Sequence, residues 1–134
     1  MKNIFLTILV SIIVMNCSLG DDNQKADIIG KWKLIETYDD LGDGGGDWVI
    51  VSVDDSYTYQ FKDDNTFIRS GGQSDCNGVY SLESNVEQYS ILTLTCQNSE
   101  GAKRTQSFNN NYLIIDVAPY GCDESCAEKF KRID

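Results

Sequence analysis

Five cysteines offer the most specific chemistry in this chain, which contains no histidine at all. Without imidazole it lacks the commonest general base, the commonest metal ligand and every Ser-His or Cys-His nucleophile. The thiols are Cys17, Cys76, Cys96, Cys122 and Cys126. Setting Cys17 aside leaves an even number, and in an exported chain four thiols read as two disulfides. A zinc site of four thiolates is the alternative. Its paired-knuckle spacing is missing, because Cys76 and Cys96 lie 20 apart and Cys122 and Cys126 four apart. Redox catalysis fits poorly too: a reactive dithiol favours Cys-x-x-Cys at a helix start, whereas Cys122-Asp-Glu-Ser-Cys126 surrounds itself with acids that disfavour a thiolate.

Carboxylates are the other abundant reactive group. Asp39, Asp40, Asp43 and Asp47 lie among four glycines, a loop that could wrap oxygen ligands around calcium. The spacing is not that of an EF-hand, and Gly-rich acidic loops between strands are ordinarily solvated. No metal and no cofactor is expected. Carboxylate pairs for acid–base work arise anywhere in a chain with 21 acidic and 11 basic residues, so they say nothing about glycosidase-type chemistry. The net charge of −10 repels phosphate backbones, which argues against nucleic acid as a partner.

Cys17 has a different setting. Met1, Lys2 and Asn3 precede an apolar run from Ile4 to Met15, the length of a secretory signal and short of the roughly 20 residues that span a bilayer. The run ends at Val14-Met15-Asn16-Cys17, which resembles the lipobox of bacterial lipoproteins, with Asn16 where that family usually has Gly, Ala or Ser. The resemblance implies cleavage before Cys17 and acylation of its thiol. Triacylation makes a lasting anchor, since each buried methylene contributes about 0.8 kcal/mol. An ordinary secretory peptide with an incidental cysteine is the alternative. The organisation expected is a cleaved signal peptide over 1–16, a lipidated cysteine and flexible acidic tether over 17–27, and one domain over 28–134. That placement is the cell envelope, with the outer membrane as the anchored membrane and surface display left open. Cleavage leaves 118 of the 134 residues, enough for one core, and a monomer is expected.

These groups must be positioned by strands. From Ile28 onward, short runs rich in Val, Ile, Thr, Tyr and Phe alternate with Gly, Asn, Asp and Ser clusters, and no 3.6-residue period is sustained. Strands are predicted over 31–38, 48–53, 57–62, 66–70, 78–83, 89–95, 105–108, 112–117 and 129–133, an all-β meander or barrel. In one hairpin Tyr57, Tyr59 and Phe61 share a face ahead of a turn at Asp63-Asp64-Asn65. In another, a centre near Val86 sets Tyr80 opposite Leu92, Gly78 opposite Leu94 and Cys76 opposite Cys96. A Cys76–Cys96 disulfide follows from that register, which leaves Cys122 to bond Cys126.

Gly30-Lys31-Trp32 opens the first strand, and Gly-x-Trp at that place resembles the signature of lipocalins. The segments Asp40 to Trp48, Tyr59 to Phe67, Cys76 to Tyr80 and Cys122 to Lys131 are similar to the lipocalin-like lipoproteins of Gram-negative bacteria. Asp75-Cys76-Asn77-Gly78-Val79-Tyr80 with Cys96 also echoes small heat-shock and antibiotic-tolerance lipoproteins. The lipocalin resemblance implies a small antiparallel barrel of about eight strands with Trp32 closing one end, and names no ligand. Trp32, Tyr57, Tyr59, Phe61, Phe67, Tyr80, Tyr112 and Phe130 are candidate lining for a ligand pocket; they equally suit a packed core, which a domain this small favours. The function expected is a non-enzymatic module that binds a small apolar ligand. An envelope interaction protein with a filled core is the alternative.

Overall fold

Period-2 alternation from Gly30 to the C-terminus builds a single antiparallel sheet that closes on itself. The computed structural model describes residues 27–39, 45–72, 74–84, 89–97, 99–116 and 125–134. Its strands are β1 (Gly30–Asp39), β2 (Asp47–Ile50), β3 (Tyr57–Phe61), β4 (Thr66–Gly71), β5 (Cys76–Ser84), β6 (Ser90–Cys96), β7 (Ala102–Asn109), β8 (Tyr112–Asp116) and β9 (Ser125–Arg132). Neighbours pair in the order β2-β1-β3-β4-β5-β6-β7-β8-β9, and β1 also pairs with β9. The result is a closed barrel of eight strands with β2 as an extra strand, the all-β barrel expected from sequence.

All nine predicted strands form, with three informative differences at their ends. The second was expected to reach Val53 and stops at Ile50. Val51 still donates to the Ile35 carbonyl at 3.0 Å; the chain then loops out, and the Ser56 amide donates to the Ser52 carbonyl. β3 resumes on the same side of β1, with Lys33 opposite Thr58 where β2 had Glu36 opposite Ile50. β2 and β3 are thus one strand interrupted by a bulge. β7 and β9 start earlier than expected. The Ser125 to Glu128 stretch has little β propensity of its own, and it is held by pairing with β1 on one side and β8 on the other.

The second hairpin differs in register. Gly78 faces Cys96, Tyr80 faces Leu94 and Leu82 faces Leu92, a slip of two residues from the expected pairing. A two-residue slip keeps every side chain on its expected face, so apolar alternation does not separate the two registers. Cys76 is therefore diagonal to Cys96, and Gly78 has no side chain to occupy the place directly opposite Cys96. The Cys76–Cys96 disulfide forms with Cα atoms 5.7 Å apart. Cys122, and with it the expected pairing to Cys126, lies outside the described residues, as do Cys17, the signal peptide and the tether up to residue 26.

The inner face is apolar along most of its length. Trp32, Leu34, Phe61, Phe67, Tyr80, Leu92, Leu113, Ile115 and Phe130 are buried in one cluster. Each fully buried large side chain contributes about 1.5–3 kcal/mol. Trp32 fills one end: its indole N–H donates to the Ile28 carbonyl at 2.8 Å, and Phe108 packs on its ring. The Arg132 guanidinium lies over the indole at 4.5 Å and donates to the carbonyls of Ile29 and Asp27. Gly30 is required here: its φ is +136° and a Cβ would lie 2.6 Å from the Arg132 guanidinium.

Candidate functional site

At the end opposite Trp32 the inner face becomes polar. Tyr57 begins β3 and Tyr59 follows two residues later, so alternation points both rings inward. On β4 the same rule carries Arg69 inward from Phe67, and on β9 it carries Glu128 inward from Phe130. The Tyr57 hydroxyl donates to Glu128 Oε1 at 2.7 Å. The Arg69 guanidinium lies 4.0 Å above the Tyr57 ring and donates from Nη1 to Ser74 Oγ. Its Nε is buried and has no hydrogen-bond partner among the described residues.

Above these side chains is a recess of about 680 Å³. The bulge between β2 and β3 forms one wall with Val51, Ser52 and Asp55, and β4 and its following turn form another with Arg69, Gly72 and Ser74. Leu34 and Thr37 of β1 and Glu128 of β9 complete it, with Tyr57 on its floor. The recess exists because β2 stops short: no described strand pairs with β2 beyond β1, so the wall between β2 and β4 is left open.

Burial shapes the tyrosines' acidity. Desolvation raises the Tyr57 pKa far above 10.0, with the charges of Tyr59 and Glu128 adding to it. Tyr59 is raised by burial first and by Glu128 next, against a lowering from Arg69. Both are neutral hydrogen-bonding groups near neutral pH and are poorly placed to act as bases.

The eight aromatics singled out from sequence separate into groups. Tyr57, Tyr59, Phe61, Phe67, Tyr80 and Phe130 form a chain of ring contacts with centroids 5.1 to 6.1 Å apart. These rings fill the barrel. Trp32 seals its far end, Tyr112 is half-buried at the start of β8, and only Tyr57 reaches the recess. Arg69 and Glu128 were not among the sequence candidates. Their signal was parity: each lies two residues from a core phenylalanine, and charge obscured that inward placement.

Of the acidic loop, Asp39 and Asp47 face each other across β1 and β2, and Asp40 and Asp43 lie outside the described residues. Among the described residues no group of three or more His, Cys, Asp or Glu side chains is placed to hold a metal. The fold and recess define a small closed β-barrel with a ligand-sized opening at one end. No protein-family model, curated protein or solved structure matches the chain.

Proposed function

We propose that this protein is a non-enzymatic binding module of the cell envelope, anchored through a lipid on Cys17, which holds a small molecule in the recess at the barrel mouth. The observation that carries this reading is the recess itself: its volume of about 680 Å³ lies within the ordinary range of small-molecule sites. The core beneath it is filled by aromatic rings, so the ligand rests on Tyr57 and does not enter the barrel interior. The resemblance to lipocalin-like lipoproteins and the leader ending just before Cys17 support the class and the anchor. Titration with a neutral solvatochromic dye, N-phenylnaphthylamine, tests the recess. Fluorescence rises with wild type and is lost in Thr37→Phe, which fills the recess from β1; equal binding by both proteins places the dye elsewhere and defeats the reading. Cys17→Ala tests the anchor, with the variant expected to leave the membrane fraction.

A second reading, an envelope interaction protein, is favoured by β2. Val49, Ile50 and Val53 are 48, 81 and 83 % exposed, on or just beyond a strand whose outer edge pairs with no other described strand. Under that reading Val53→Lys impairs envelope function and Thr37→Phe does not.

A further inference from the structure

The recess carries charges of both signs that do not neutralise each other. Arg69 reaches it from β4 and Glu128 from β9, and the Tyr57 ring separates them: the guanidinium lies over its face and the carboxylate binds its hydroxyl. Among the described residues neither Arg69 nor Glu128 forms an ion pair. One Arg69 donor is spent on Ser74, while Nε is buried and unmatched. Glu128 has one oxygen engaged by Tyr57, and among the described residues the other has no donor. Asp55 on the rim takes a hydrogen bond from Ser52 and adds a second carboxylate.

Each simple ligand class leaves part of this arrangement unmet. A neutral apolar molecule, such as the dye, can rest on the apolar lining but leaves both charges without partners, so it binds only weakly. An anion matched to Arg69 meets the carboxylates, and a cation matched to Glu128 meets the guanidinium. We propose that the ligand is a small zwitterion with an apolar body, of the amino-acid or dipeptide type. Its carboxylate takes the remaining Nη donors of Arg69, its ammonium donates to Glu128, and its side chains lie against Leu34 and Val51. A guanidinium suits the first role because its fork matches two carboxylate oxygens. This inference rests on the reading of the recess as the ligand site.

Calorimetric titration of the full-length protein with leucyl-leucine, its N-acetyl derivative and its C-terminal amide separates the two charges. Wild type is expected to bind the free dipeptide about tenfold more tightly than either blocked form, the size of one lost charge-assisted contact. Arg69→Met should bind dipeptide and amide alike, because it no longer reads the carboxylate. Glu128→Gln keeps an acceptor for Tyr57 and should bind dipeptide and N-acetyl form alike. Equal affinity of wild type for all three probes, no binding of the free dipeptide, or unchanged discrimination in both variants overturns the proposal. If that happens while N-phenylnaphthylamine still binds in a Thr37-dependent way, the recess reading stands and the zwitterion fails alone. Loss of dye binding as well removes both.

Discussion

At the residue scale the account depends on a few side chains whose environments are tightly set. Tyr57 is 7 % exposed and gives its one proton to Glu128. Tyr57→Phe is expected to cost about 1–2 kcal/mol in urea unfolding, since the half-buried carboxylate loses its donor. Alkaline titration gives a second check. Burial raises the pKa values of Tyr57, Tyr59 and Tyr80 above 10.0. A group with a raised folded pKa stabilises fully below its unfolded value and loses that contribution as pH rises toward its folded value, so stability should fall above about pH 10. In ultraviolet titration these three of the seven tyrosines should ionise at higher pH than a free phenol. Ionisation of all seven together near pH 10 with the fold intact would contradict their burial. Gly78 is constrained differently: a Cβ there would lie 2.1 Å from the Thr95 carbonyl oxygen. Gly78→Ala should destabilise by about 1–3 kcal/mol, because the obstacle is backbone and yields only if β5 and β6 move apart.

At the element scale the hairpins show what was readable in the sequence. The β3–β4 hairpin was fully legible: Asn65 takes a positive φ of 63°, and the preceding Asp64 accepts from the Thr66 amide and hydroxyl. Turn residues and alternation there specify the same pairing. The β5–β6 hairpin was legible only in face, because Leu82, Leu92 and Leu94 satisfy alternation in either of two registers. The disulfide survives that ambiguity, since diagonal neighbours also come within bridging distance. It links residues 20 apart, and Cys76→Ser with Cys96→Ser should lower stability by about 3 kcal/mol, measured by denaturant midpoint. The bulge that interrupts β2 and β3 was not legible. Val51, Ser52 and Val53 continue a strand pattern, and the loop is set by a tertiary contact from the Ser56 hydroxyl to the Leu34 carbonyl with Ser52 and Asp55 bonded across it. The half of the site that this bulge builds was therefore hidden from the sequence, while the Tyr57 half was visible.

At the scale of the whole molecule, one division of labour explains the architecture. Trp32 and Arg132 seal one end, aromatic rings fill the middle, and polar groups collect at the other end where the barrel wall is incomplete. A domain of about a hundred residues has little interior to spare, so a ligand site is affordable only where it does not displace the core. The net charge of −10 discourages self-association. The central claim is that the mouth, and not the barrel interior, holds a small molecule. It is tested most directly by native mass spectrometry of the protein purified from cells that express it, wild type beside Thr37→Phe. The account predicts a non-covalent adduct of small-molecule size on wild type and none on the variant. A bare wild-type protein, or an adduct that Thr37→Phe retains, would contradict it.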